Sequence, residues 1–401
     1  MAFDPPRRVL IVVENLPVPL DRRVWLEATT LTEAGYHVSV ICPTGRGWDA
    51  PYEEIEGVHI YRYPEPPEAH SGARAYAVEY GLALKHMFRL ARVVHREQGF
   101  DVIHGCNPPD LIFLLARMWR RQGVRYLFDH HDVCPELFEA KFGKKGMLHR
   151  VMLKWERMTF ATADVSIATN ESFRRIAVDR GGMAPEDVFV VRSAPRIEKF
   201  VPGPGDPVHR RGAGTLLGYV GVIGQQEGMD LLIAALDHLV RDMGRDDVHL
   251  AIVGFGPHVE EVKADVRRRG LVDHVTFTGA LYGDDLLAVL NAIDIGVAPD
   301  PKNPMNDIST MNKVMEYMTL EKPTVQFDLT EGRASAGEAS LYAAANDPRD
   351  FAAKLAQLMD DPELRARLGR LGRERVLENL SWAHSAPRLL AAYDRVFAKG
   401  R

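Results

Sequence analysis

The stretch "YLFDHHDVCPELF" sets Asp129, His130, His131, Asp132 and Glu136 close together just after an apolar run. So many titratable groups at one strand end suit orienting and charging a ligand better than packing. "DVIHGCNPPD" adds His104, Asn107 and Asp110 in a strand-to-helix turn stiffened by Pro108 and Pro109. His/His/Asp can ligate a metal, but no third, distant ligand with suitable spacing stands out, so no metal is expected. Nearer the start, "PVPLDRRVWLEA" puts Arg22 and Arg23 at a helix N-terminus, where cations oppose the macrodipole. They are either tolerated surface charges or, with the helix end, a receptor for an anionic ligand.

The second half carries a different chemistry. "GYVGVIGQQEGMDLL" places Gly221, Gly224 and Gly228 around one strand-to-helix turn, and "AIVGFGPHVEEV" repeats the device with Gly254, Gly256 and the helix-starting Pro257. Such glycines let backbone approach a phosphate and leave N–H groups pointing at it. In "NDISTMNKVMEYMTLEKPTV", Met311, Val314, Met315 and Met318 recur at helical spacing. Lys313 and Glu316 then project from the other face, about 60° apart.

These groups need elements to hold them. "RRVLIVV" (7–13), "HVSVICP" (37–43), "FDVIHGC" (100–106), "VRYLFDHH" (124–131), "DVSIATN" (164–170) and "DVFVVRS" (187–193) read as strands alternating with helices. A proline- and glycine-rich stretch, 193–214, reads as a linker. The alternation restarts with "TLLGYVG" (215–221), "VHLAIVG" (248–254), "HVTFTG" (274–279), "IDIGVAP" (293–299) and "KPTVQFD" (322–328). The fold class is therefore α/β, with two doubly wound Rossmann-like domains facing an interdomain cleft. The expected division is 1–195 for the N-terminal domain, 196–382 for the C-terminal domain, and 383–401 as a C-terminal helix packing back on the first.

Composition agrees. A chain of 401 residues exceeds one ordinary core, and 46% hydrophobic with 26% charged residues is a globular balance. A net charge of −5 argues against nucleic acid as a partner. Cys42, Cys106 and Cys134 are scattered, with no disulfide framework, which fits a reducing cytoplasm. "VLIVVENL" is a strand broken by Glu14 rather than a signal peptide, and no run reaches the ~20 apolar residues of a spanning helix. The basic amphipathic segment 144–160 has Leu148, Val151, Met152 and Trp155 on one face and Arg150, Lys154 and Arg157 on the other. It is either a sheet-packing helix or a peripheral contact with the inner membrane face.

"DRRVWLEATTLTEAGYHVSVIC", "GFGPHVEEVKADVRRRGLVDHVTFTGAL", "AIDIGVAPD" and "MNKVMEYMTLEKPTVQFD" together resemble glycosyltransferase family 4, in order and over nearly the whole chain. The resemblance implies a retaining, metal-independent hexosyltransferase of the GT-B fold, with no bound cofactor and a UDP- or GDP-sugar as co-substrate. The acceptor would be a glycan, a lipid-linked sugar or a small molecule. Glu316 matches the family glutamate that holds the nucleotide ribose. The partner glutamate would fall at Ile308, so Asp307, or the Ser309 and Thr310 backbone, is expected near the sugar hydroxyls.

The arginine and lysine that usually neutralise the diphosphate are replaced by Val222 and Glu227. Two phosphates still need charge-assisted partners. Lys313, Arg333, and Arg22 or Arg23 are the candidates, with backbone N–H groups near Gly224. His131, or His130 beside it, matches the residue that contacts the donor sugar, and His104 and Asn107 fall on the acceptor side. A binding subunit that has lost catalysis, or a GT-B sugar-nucleotide epimerase, are the alternatives.

Overall fold

The computed structural model describes residues 6–67, 73–143, 145–195 and 197–399. The chain forms two compact units, Met1–Ser193 with Ala383–Arg401, and Ala194–Trp382.

The first unit is built on eight strands: β1 (Arg8–Val12), β2 (His37–Pro43), β3 (Tyr52–Ile55), β4 (Val58–Tyr63), β5 (Val102–Cys106), β6 (Arg125–His130), β7 (Val165–Ala168) and β8 (Val188–Val190). Their order is β3-β4-β2-β1-β5-β6-β7-β8, and every pairing is parallel except β3 with β4. The central strands read as unbroken apolar runs because helices cover both faces of a parallel sheet. Leu10, Val12, Tyr126, Phe128 and Phe160 share one core cluster. Asp21 starts the helix Arg22–Glu33, its carboxylate accepting the Val24 N–H at 3.1 Å.

From Ala383 onward the helix Trp382–Ala398 belongs to this same unit. Tyr393 meets Tyr36 edge-on at 5.4 Å, and Arg7 bonds Asp394 at 3.0 Å.

The second unit carries β9 (Thr215–Val222), β10 (Val248–Phe255), β11 (Val275–Gly279), β12 (Ile295–Ala298), β13 (Thr324–Phe327) and β14 (Ser340–Ala343). They form an all-parallel sheet in the order β11-β10-β9-β12-β13-β14. Leu217, Leu250, Ile252, Val297, Phe327 and Phe351 sit in its core.

Three strands escaped the sequence reading. β3 and β4 form a hairpin whose two turn residues, Glu56 and Gly57, have φ of 49° and 78°. "EG" between alternating residues was the available signal. β14 is a four-residue edge strand, too short to show a period. The segment 144–160 is helical from Met147 to Thr162. Glu156, Thr159 and Phe160 give this helix its buried face, while Leu148, Val151, Met152 and Trp155 are half-buried; Lys144 lies outside the described residues. Among the described residues no helix is long and apolar enough to cross a membrane.

Candidate active site

In the first unit the charged groups gather where β1, β5 and β6 end. Arg23 is buried, 8% exposed, and is not a surface charge. Its guanidinium grips Asp129 in a bidentate pair at 2.7 and 2.8 Å, reaches Glu27 at 3.2 Å, and donates to the Val191 carbonyl at 2.9 Å and to Ser193 at 3.2 Å. The sequence reading offered Arg23 to a phosphate; the fold has given its donors to the protein. Arg22 is the exposed one of the pair.

Asp129 also accepts from His131 Nδ1 at 2.9 Å, so one carboxylate bridges a guanidinium and an imidazole. Burial opposes the Asp129 charge, but Arg23 and His131 outweigh it and hold the carboxyl well below its usual range. Burial likewise opposes a charged His131, yet Asp129 pushes its pKa up to about 9. His131 is therefore an imidazolium at neutral pH, fixed in orientation and only 12% exposed. Asn107 fixes the adjoining backbone. Its side-chain carbonyl accepts the His131 and Asp132 N–H groups at 3.0 and 3.1 Å, while its amide donates to Asp110 at 2.9 Å.

His104 and His130 part company with His131. His104 is fully buried and bonds the Tyr393 hydroxyl at 2.9 Å, and burial pushes its pKa down to about 4. His130 lies among Phe128, Phe160 and Phe173, and burial takes it down to about 3. Both are neutral core side chains. Glu136 pairs with Arg180 at 2.5 Å. Glu27, His104, Cys106 and Asp129 bring possible metal-ligand atoms within 4.8 Å of one another. Arg23 already supplies the cation there, and burial raises the Cys106 thiol far above its usual value, leaving a protonated and poor ligand.

The Asp129–His131 pair has a pH signature. His131 has a folded pKa above its ordinary value, so its contribution is complete below about pH 6.5 and is lost as pH rises through about 9. Thermal midpoints of the wild type are expected to fall across that window. His131→Gln is expected to flatten the decline, and an unchanged slope would remove the assignment.

In the second unit the loops after β9, β10 and β12 converge. The strand ends cross so closely that a Cβ on Gly254 would stand 1.9 Å from the Gly221 carbonyl oxygen, and one on Gly256 would stand 2.4 Å from that of Ile223. Both glycines have positive φ, 154° and 157°, so two independent constraints exclude a side chain. Gly224 opens the next turn, with the Glu227 carboxylate folded against it. Asn306, buried and not singled out from sequence, donates to the carbonyls of Gln226 and Pro301, both at 2.9 Å, tying these loops together.

The helix Asn312–Thr319 starts at this edge, with no side-chain cap on its first turn. It is covered nearly all round: Val314, Met315, Glu316, Tyr317, Met318 and Thr319 are all buried. The apolar-face, polar-face division expected from spacing gives way because the helix 362–375 packs on it as well, with Gly372 against Met318. Lys313 is also enclosed. Its ammonium bonds both oxygens of Asp300, at 2.8 and 2.9 Å, and lies 4.9 Å from the Tyr219 ring centre. Asp300 was missed because nothing local marks an aspartate two residues past a strand as a lysine's partner. Burial raises the Glu227 pKa, with Lys313 opposing and Asp300 adding to the rise.

The remaining predicted residues have structural partners. Asp307 accepts from the Thr330 N–H and hydroxyl at 2.9 and 3.0 Å, holding the start of the helix Thr330–Ala336. Arg333 forms an exposed bidentate pair with Asp328 at 2.5 and 2.8 Å. The Ser309 hydroxyl donates to the Met305 carbonyl at 2.7 Å. Thr310 stands two residues before the helix, next to its N-cap residue Met311.

Residues 20–194 match the family described as Glycosyl transferase 4-like domain, and residues 214–361 match Glycosyl transferases group 1. The chain is 31% identical over 198 residues to the 2-deoxystreptamine glucosyltransferase of Streptomyces kanamyceticus. That match covers 47% of each protein, so the chain spans about half the length of this relative. Among solved structures it is similar to sucrose-phosphate synthase from Thermosynechococcus elongatus, with a TM-score of 0.79 and 18% identity over 98% of this chain and 100% of that one. It is also similar to Anabaena Alr3699/HepE in complex with UDP-glucose, with a TM-score of 0.70 and 13% identity over 96% and 99%. Likenesses at these identities are likenesses of fold.

Proposed function

We propose that this chain, which belongs to the GT4-type glycosyltransferases of GT-B fold, moves a sugar from a nucleoside diphosphate sugar to an acceptor hydroxyl with retention of configuration. The second unit would hold the donor and the first the acceptor. The observation that carries this reading is the glycine crossing at the ends of β9 and β10, beside the uncapped start of the helix Asn312–Thr319. Bare backbone and a helix N-terminus offer N–H donors to phosphate oxygens at close range.

Lys313, whose Cε would stand 3.6 Å from a Cβ on Gly221, lies at that edge, and it would exchange part of its bonding to Asp300 for the diphosphate. Glu316, 7% exposed on the same helix, would accept from the ribose hydroxyls. UDP-glucose in complex with a protein of the same fold supports a uridine donor. In the first unit His131, charged and oriented by Asp129, would offer an imidazolium N–H to negative charge on the substrate. No residue is assigned as a general base, because the donor's own phosphate can take the acceptor proton.

The test is a donor screen. UDP-glucose and its relatives are expected to raise the melting temperature, since a ligand that binds only the folded state stabilises it. Glu316→Ala is expected to weaken donor binding by about 10–100-fold, the loss of a charged hydrogen bond or two. Wild-type affinity in that variant would overturn the ribose assignment. No response to any nucleotide sugar would overturn the donor reading.

A further inference from the structure

In the second unit the turn after β9 is pinned on both sides of Glu227. The Gln226 carbonyl accepts from the Asn306 side-chain amide at 2.9 Å. Gly228, at φ 66°, packs so tightly on the end of β12 that a Cβ there would stand 2.1 Å from the Pro299 carbonyl oxygen. The Glu227 backbone is thereby held, and its side chain keeps the rotational freedom.

That side chain folds back over the start of its own turn. A Cβ on Gly224 would stand 2.6 Å from Glu227 Oε2 and 3.6 Å from Oε1, so the carboxylate lies on buried Gly224 instead of reaching for water. Oε2 is buried there with no hydrogen-bond partner. Backbone hydrogen bonding from Gly224 and Glu227 itself favours the charged form. An anion therefore already rests on the glycine turn whose N–H groups the donor reading offers to phosphate.

The neighbouring groups give this anion little help. The Lys313 ammonium is held by both oxygens of Asp300, at 2.8 and 2.9 Å. Lys313, Asp300 and Tyr219 are the titratable groups whose fields act at Glu227, and of these Lys313 alone favours its charge. A half-buried carboxylate with one oxygen orphaned beside a like charge is costly to keep. Phosphate and carboxylate oxygens compete for the same N–H donors, and two anions cannot share one turn. We propose that Glu227 is a built-in stand-in for phosphate, whose carboxylate occupies the Gly224 turn in the empty site and swings out, or takes a proton from solvent, when a diphosphate binds. The proposal rests on the donor reading for the nucleotide, but not for the anion place at Gly224. A protonated Glu227 no longer competes, so the competition is full at high pH and fades as pH falls through its raised pKa.

The experiment is calorimetric titration of the full chain, wild type and Glu227→Gln, with UDP, inorganic pyrophosphate and uridine. At about pH 8 the variant is expected to bind UDP and pyrophosphate about tenfold or more tightly than wild type, the scale of one charge-assisted hydrogen bond regained. Uridine, which has no phosphate, is expected to bind both proteins equally. The gap is expected to narrow at about pH 5, where the wild-type carboxyl has gained its proton. Equal pyrophosphate affinities in the two proteins would overturn the proposal. So would a gain for uridine as large as that for UDP, which reports a site loosened as a whole, or a gap that stays constant with pH. Should Glu227→Gln fail to fold, Glu227→Ala carries the same comparison. Tighter pyrophosphate binding by the variant with no UDP response in either protein would sink the donor reading and leave the anion place standing. UDP binding of equal strength in both proteins would do the reverse.

Discussion

Arg23→Ala is expected to cost about 3–5 kcal/mol of folding stability, the range for removing one member of a buried ion pair. The magnitude follows from what is left behind. Asp129 is fully buried and ionised, and Glu27 is fully buried beside it. Arg23 is the guanidinium that bonds both. Without it, Asp129 retains His131, with the neutral His104 ring at 4.0 Å, and Glu27, which burial already pushes up to about 8, stays in its protonated form. The Val191 carbonyl and the Ser193 hydroxyl lose their donor as well. Arg22→Ala, one residue away and exposed, is expected to change stability by less than about 0.5 kcal/mol. Chemical denaturation of the two variants checks the contrast. Equal losses would show that the first arginine pair acts as a surface charge, against the buried geometry.

Lys313→Ala is expected to lower transfer by about 100–1,000-fold, the scale for a preorganised group aimed at developing charge. The enclosed pair with Asp300 gives this prediction a control. If Lys313 served Asp300 alone, Asp300→Asn would be as harmful as Lys313→Ala, because either change breaks one buried pair. If Lys313 serves the diphosphate, Asp300→Asn releases the ammonium and UDP should bind more tightly than to wild type. The double variant Lys313→Ala/Asp300→Asn would then recover stability but not binding. Titration of UDP by calorimetry across the four proteins decides it, and equal affinities throughout would remove Lys313 from the donor site. Glu227 enters the same balance. It stands where a cation was expected, and Lys313 opposes the rise that burial gives its pKa, so one ammonium lies among two carboxylates. On the proposed reading, backbone N–H groups and a lysine freed from Asp300 are what would receive the diphosphate.

Much of this architecture was legible in the residue order. β2 runs from His37 to Pro43, the span read from the pattern, and β9 and β10 were each short by one residue. Both sheets are buried on two faces, so their strands appear as continuous apolar runs that need no tertiary knowledge to find. Glycines 221, 254 and 256 were also legible, because only a backbone that must turn or approach another backbone keeps glycine at a strand end. The β3–β4 hairpin was missed although its Glu56–Gly57 turn was in plain view. β14 offered no period at all.

The site residues divide along a sharper line. Residue types told which groups can carry charge, and order told which strand ends they follow. Neither could tell who their partners are. Arg23 and Asp129 lie 106 residues apart, and His104 and Tyr393 lie 289 apart. Those pairings turn one arginine of "DRR" into a structural cation, one histidine of "DHH" into a charged, aimed imidazolium, and its neighbour into a neutral core ring. Local periodicity determines strands, helices and turns because it acts through near-neighbour sterics and burial. Protonation state and free charge are decided by desolvation and by partners brought in from distant sequence, which exist only once the chain has folded.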